Sequence, residues 1–178
     1  MMKLATKADI ADCRALSTAV FGEPNFDLYP RTAQSANAFD IQIKDGLWYL
    51  WRDKDGIARG IAENTPPVTI VREEFTVCAF WTDPTLSDLE RRRWGLQMII
   101  DIEEERMAAG FVQCTFDIPP INAKVLAFAD WVEDKPLWRR VSGTDPTTGA
   151  AHYINFGWDL KSSHDKAVAK LAAMGTPK

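Results

Sequence analysis

Phe80-Trp81-Thr82-Asp83-Pro84-Thr85-Leu86-Ser87-Asp88-Leu89-Glu90-Arg91-Arg92-Arg93-Trp94-Gly95-Leu96-Gln97-Met98 takes the chain from strand chemistry into helix chemistry within a few residues. Its first part ends a long apolar β run that begins near Val68 behind Pro66-Pro67 and is expected to break near Arg72 to Glu74. Asp83-Pro84 closes that run. Ser87 to Glu90 then has the Ser-x-x-Glu spacing in which the two end side chains satisfy amides that a helix leaves without internal partners. Trp94, Leu96, Met98, Ile99, Ile100 and Ile102 make a wide apolar stripe, Glu103 to Arg106 are read as a solvated face, and Gly110 is a left-handed stop. A helix from Ser87 to about Ala109 follows, and the mostly apolar Phe111 to Ile118 is the next strand. A strand, a long helix and a strand in this order call for a parallel crossover.

Before this unit, Lys3 and Leu4 form a short strand. Thr6 caps a helix whose apolar positions are Ile10, Cys13, Leu16, Ala19 and Val20, and Gly22 and Pro24 end it. Residues 23 to 46 read as a loop with one short helix near Thr32 to Ala38. Leu47 to Arg52 and Ile57 to Ala62 are strands joined by the Asp55-Gly56 turn, because Asp-Gly accepts the positive φ of a tight hairpin. After the central unit come a helix over Asn122 to Val132, strands over Leu137 to Val141 and Ala151 to Trp158, and a terminal helix from His164 to Met174. This order excludes a simple sandwich or bundle. It implies an α/β (α+β) fold: a mixed, mostly antiparallel central sheet flanked by helices.

The composition sets further bounds. A chain of 178 residues with 46% hydrophobic and 26% charged residues suits one domain over residues 1–178 with a single core. The net charge of -4 excludes a broad nucleic-acid footprint, since phosphate binding needs clustered Lys and Arg, and Arg91 to Arg93 is too short a cluster to supply one. Cys13, Cys78 and Cys114 are odd in number and lie in apolar patterns, so they read as reduced core residues in a cytoplasmic setting. The N-terminus lacks an apolar signal core, and no stretch approaches the roughly 20 apolar residues of a spanning helix. Neither nucleic acid nor membrane is an expected partner. Trp48, Trp51, Trp81, Trp131, Trp138 and Trp158 are expected to pack in the core or line a groove.

Two segments then carry a family resemblance. Trp81-Thr82-Asp83-Pro84 followed by Arg92-Arg93-Trp94-Gly95-Leu96-Gln97 resembles the strand and Arg/Gln-x-x-Gly-x-Gly/Ala loop of the Gcn5-related N-acetyltransferases. Asp117 to Phe128, with Asn122 ahead of an apolar helix, resembles that family's later coenzyme A contact. The resemblance implies an acyl-CoA-dependent N-acyltransferase that uses acetyl-CoA as co-substrate. Phe80, Trp81 and Thr82 would lie along the coenzyme arm, Arg92, Arg93, Trp94, Gly95, Leu96 and Gln97 at the pyrophosphate, and Asn122 beside the arm. The acceptor would be a small-molecule or protein amine, with residues 23 to 46 shaping its pocket.

The same comparison finds departures. Gln97 stands at the second small position, and Ala129 at the place where the family often carries a thiolate-protonating Tyr. A helix capped at Ser87 also consumes the amides of Arg92 to Gln97 in its own hydrogen bonds. Glu73 and Glu74 are the available carboxylates for a base; His152 and Tyr153 read as structural. The alternative function is therefore a non-catalytic binding or structural protein of this fold, of the kind found among bacteriophage virion-associated proteins. A homo-oligomer or larger assembly is compatible with either.

Overall fold

The computed structural model describes residues 1–21, 47–63, 74–77, 80–118, 123–132, 136–144 and 146–177. The chain is mixed α+β, with four α-helices and two four-stranded sheets among the described residues. Every strand pairing but one is antiparallel among these residues. Two compact units organise it, and each has its own sheet.

The first unit holds β1 (Met2–Leu4), α1 (Ile10–Phe21), β2 (Trp48–Arg52), β3 (Ala58–Glu63), β5 (Phe80–Thr82) and the first half of α2 (Asp88–Ala108). Its sheet has the order β1-β2-β3-β5. The Asp55-Gly56 hairpin forms as its sequence requires, with Gly56 at φ 81°. Period-two alternation sorts β2 between two helices. Trp48 and Leu50 join Cys13 and Leu16 of α1, Ile61 and Trp81 in one core, with Trp48 and Trp81 edge-to-face at 5.4 Å. Trp51 pairs instead with Gly60, over which Met98 of α2 packs. Helices cover both faces, which is why Trp-Tyr-Leu-Trp is apolar without alternation.

A 3-10 turn, Lys7–Asp9, leads into α1. Thr6 donates both its amide and its hydroxyl to Asp9 Oδ2, at 3.0 and 2.9 Å. Lys3 and Arg52 each reach Asp9 Oδ1 at 2.8 Å, and Arg52 also reaches Asp12 at 2.5 Å. Asp9 is buried with both carboxylate oxygens accepting hydrogen bonds, and its carboxyl stays well below the usual range. Burial alone would raise it; the hydrogen bonds from Lys3, Arg52 and Thr6 outweigh that.

The second unit holds β4 (Glu74–Val77), the second half of α2, β6 (Gln113–Ile118), α3 (Ala123–Val132), β7 (Trp138–Thr144), β8 (Ala151–Asp159) and α4 (Leu160–Met174). Its order is β4-β6-β8-β7, with β4 parallel to β6. The parallel partner of β6 is β4, the earlier part of the run ahead of the helix, while β5, directly before the helix, pairs antiparallel with β3. One face of the sheet is apolar, carrying Cys114, Ile118, Phe156 and Trp158 in register. Arg139 lies over the Phe156 ring and bonds Asp130 of α3, so α3 covers that face.

Several expectations are corrected. The apolar run ending at Thr82 is divided on either side of residues 78 and 79, because β4 pairs with β6 and β5 with β3. Glu103 and Arg106 are buried at 1% and 9% exposure, and only Glu104 and Glu105 face solvent. Positions 99, 102, 103 and 106 share one helix face, so the inward stripe takes the charged pair with it. The terminal helix starts at Leu160, four residues early, because Asp159 accepts the Ser162 amide at 2.8 Å. Trp131 is 36% exposed and stands outside the core; Ala19 is exposed on α1. Cys13 and Cys114 are buried free thiols. The short helix near Thr32 to Ala38, Glu73 and Cys78 lie outside the described residues.

Candidate functional site

The turn between β5 and α2 is built from three charged residues far apart in sequence. Arg59 on β3 donates through Nε to Asp53 Oδ2 at 2.9 Å and through Nη1 to Asp83 Oδ2 at 2.8 Å. Asp53 in turn accepts the amides of Asp55 and Ile57, each at 2.9 Å, which fixes the hairpin turn. Asp83 Oδ1 accepts the Thr85 amide and hydroxyl at 2.9 and 2.7 Å. Burial would raise the Asp83 carboxyl, but Thr85 and Arg59 hold it below the usual range. Both carboxylates are therefore ionised, and the strand end is tied to the hairpin through one guanidinium.

Beyond this turn α2 starts at Asp88. Ser87 Oγ accepts the Glu90 amide at 3.3 Å and the Ser87 carbonyl accepts the Arg91 amide at 2.9 Å, so Ser87 is the cap its sequence indicates. The Glu90 carboxylate pairs with Arg93. Arg92 to Gln97 consequently occupy the second and third turns of a continuous helix, where backbone amides bond to carbonyls four residues back.

The structure places nine of the ten sequence-derived coenzyme residues on β5 and the start of α2, within the first unit. Phe80, Trp81 and Thr82 pair with Ala62, Ile61 and Gly60, and β5 is the end strand of its sheet among the described residues. Trp81 turns its ring into the core against Trp48. Thr82 is half-buried. Arg92 is exposed, Arg93 is drawn onto Glu90, Trp94, Gly95 and Leu96 are buried, and Gln97 is half-buried. The Trp94 indole Nε1 is buried with no hydrogen-bond partner among the described residues. Asn122 lies outside them.

Measured against a coenzyme A diphosphate, these residues fit in part. The outer edge of β5 presents strand backbone of the kind that pairs with the amides of a pantetheine arm. Arg92, on the second turn of α2 in the same unit, is an exposed cation. A backbone cradle over Arg92 to Gln97 does not fit, because those amides are inside the helix. Ala129, at the position of the family's Tyr, is buried and has no proton to give. No group of three or more His, Cys, Asp or Glu suited to a metal occurs among the described residues, and no helix there is long and apolar enough to cross a membrane.

Sequence reasoning missed Arg59, Asp53 and Asp83 as a unit. It also missed a cluster in the second unit. Asn155 Oδ1 accepts from Trp138 Nε1 at 2.7 Å and from Arg140 Nε at 3.2 Å. Both sets join residues from different strands, so neither leaves a local spacing to read.

No protein-family model matches the chain, and no curated protein matches it. Solved structures do match over nearly the whole length. Ribosomal-protein-S18-alanine N-acetyltransferase from Escherichia coli aligns at a TM-score of 0.59 and 14% identity, covering 90% of this chain and 93% of that one. A variant of spermidine N-acetyltransferase from Vibrio cholerae aligns at 0.63 and 9% identity, over 94% and 99%. Diaminobutyrate acetyltransferase from Paenibacillus lautus, solved with L-2,4-diaminobutyric acid and coenzyme A, aligns at 0.63 and 11% identity, over 90% and 94%.

Proposed function

On the premise that this chain has the fold of the Gcn5-related N-acetyltransferases, we propose that it is an acyl-CoA-dependent N-acyltransferase acting on an amine. The observation that carries this reading is the full-length match to a relative solved with coenzyme A and a diamine. Residues 1–178 would act as one domain. Acetyl-CoA would supply the activated acyl group, and the amine would attack it directly.

This chain's own residues then have the following parts. The edge of β5 that faces away from β3, at Phe80 to Thr82, would align the coenzyme arm by strand-like hydrogen bonds. Arg92 would meet the diphosphate as a side-chain cation, taking over the work that a glycine-rich loop does through amides. The Arg59–Asp83 pair would hold the strand end that both depend on. Proton removal from the amine would fall to water or to a carboxylate such as Glu73 or Glu74, since Ala129 offers no acid on the departing side.

A second reading is favoured by the continuous helix from Asp88. With the amides of Arg92 to Gln97 committed, a binding or structural protein that retains the fold without the chemistry is the competing function. One experiment separates the two. Titration calorimetry with acetyl-CoA should show saturable heat, and spermidine, 2,4-diaminobutyrate or a peptide with an N-terminal alanine should release free thiol in its presence. Absence of heat at high protein concentration rejects the enzyme and leaves the binding protein.

A further inference from the structure

The sheet of the second unit carries a polar patch where β7 and β8 run side by side. The register sets Trp138 opposite Gly157 and Arg140 opposite Asn155, so these four residues share the face away from α3. Gly157 makes room for the indole: a Cβ there would lie 2.2 Å from the Trp138 ring. The ring is thus seated on bare backbone and held at its other end by the bond from Nε1 to Asn155. Asn155 is only 8% exposed, and its Oδ1 receives a second bond from Arg140 Nε. The Arg140 guanidinium lies 5.6 Å above the Trp138 ring, within cation–π range.

Arg140 is nevertheless an exposed residue, and no carboxylate partner is found for it among the described residues. Its neighbour Arg139, also exposed and also over an aromatic ring, points to the opposite face and has a carboxylate partner, bonding Asp130 at 2.8 Å. A surface Arg ordinarily wanders through many rotamers and loses that freedom on binding. Here the guanidinium is fixed by a buried amide at Nε and an aromatic face beside it, while its Nη1 and Nη2 edge has no partner among the described residues. An Arg held in this way is suited to a planar oxyanion taken by two parallel N–H groups, because the entropic cost of ordering it has already been met in folding.

We propose that the fork formed by Arg140, Trp138 and Asn155 is a carboxylate-binding site, one that takes the carboxylate of a small molecule or of an acidic side chain. It stands apart from acyl transfer, so a failure of acetyl-CoA to bind would leave it untouched.

The Trp138 indole N–H is a built-in reporter. In an NMR titration with sodium glutarate, its resonance, assigned through Trp138→Phe, should shift saturably in the millimolar range. Sodium chloride at matched ionic strength should produce no saturable shift. Arg140→Gln should weaken the glutarate response at least tenfold, and Arg139→Gln should leave it unchanged. Asn155→Asp, which places an internal carboxylate under the same guanidinium, should abolish it with the fold intact. A response that survives Arg140→Gln, or one that chloride reproduces, overturns the site. Inorganic phosphate saturating at lower concentration than glutarate overturns the assignment to a carboxylate, and a Glu-containing peptide binding tighter than glutarate identifies the acidic side chain as the source.

Discussion

Arg59 and Asp83 hold each other twice: Arg59 Nη1 donates to Asp83 Oδ2 at 2.8 Å, and the Asp83 amide donates to the Arg59 carbonyl at 2.8 Å. The backbone bond belongs to the approach of β3 and β5; the side-chain bond crosses from the strand to the turn before α2. Removing the guanidinium leaves Asp83 and Asp53 partly buried and without their shared cation. Arg59→Met should therefore lower unfolding stability by about 2 kcal/mol, the scale of a hydrogen bond to a charged group. Urea denaturation reads this, and Arg59→Lys should recover only part, since an ammonium cannot span both carboxylates in a fixed fork. Equal stability of Arg59→Met and the parent would mean the bridge contributes nothing net.

Asp9 makes stability depend on acid. Its folded-state pKa lies below the ordinary value of 3.8, because the hydrogen bonds from Lys3, Arg52 and Thr6 outweigh the opposing effect of burial. The folded chain accordingly binds fewer protons than the unfolded one in that interval, and stability rises with pH across it. The contribution is complete above pH 3.8 and is lost as pH falls toward the lowered folded value. Asp53 and Asp83 are shifted in the same direction and add to the slope. Asp9→Asn should reduce stability at neutral pH and flatten the acid limb of a stability–pH profile. An unchanged slope in that variant would remove Asp9 from the account.

Two glycines permit close approach, and they should respond differently to the same methyl group. A Cβ at Gly60 would lie 2.3 Å from Met98 Sδ, the far end of a flexible side chain that can turn away. A Cβ at Gly157 would meet the rigid Trp138 indole at 2.2 Å. Gly60→Ala should cost about 1 kcal/mol, near the low end of overpacking penalties, and Gly157→Ala about 3 kcal/mol, near the high end. Thermal melts of the two variants give the order, and Gly157→Ala should also lose the hydrogen-bonded Trp138 indole signal. The reverse order would place Trp138 elsewhere than on Gly157.

How much of this was legible in the sequence follows from the range of each signal. The helix at Asp88–Ala108 could be read because its Ser87 cap, apolar stripe and Gly110 stop all act within a turn or two. The Asp55-Gly56 hairpin was legible for the same reason. The division of the β run was not, since the pairing of Val77 with Phe116 of β6 and of Phe80 with Ala62 of β3 depends on partners far away in sequence. Burial of Glu103 and Arg106 is hard to read because their charge points to solvent, whereas the helical phase they share with Ile99 and Ile102 turns them inward. At the candidate site, the family resemblance named Phe80 to Thr82 and Arg92 to Gln97 as coenzyme contacts, and the fold puts both segments in the first unit. The Ser-x-x-Glu spacing also pointed to a cap that consumes the loop amides, and α2 begins where that spacing puts it.

Cys13 should be chemically silent in the folded protein. It lies on the inward face of α1 at 0% exposure, among Leu16, Trp48, Leu50 and Ile61. Burial pushes its thiol up to about 12, and the negative charges of Asp9 and Asp12 act in the same direction. At pH 8 the thiolate would then be roughly one part in ten thousand of the population, and the thiolate is the species that attacks an alkylating agent. Iodoacetamide under native conditions at pH 8 should leave the peptide containing Cys13 unmodified, and the same treatment in urea should modify it fully. Mass mapping distinguishes this residue from Cys78 and Cys114. Labelling of native Cys13 at the rate of an exposed thiol would mean that α1 opens from β2 and β3 on the timescale of the reaction, and the packing that buries Trp48 would need to be redrawn.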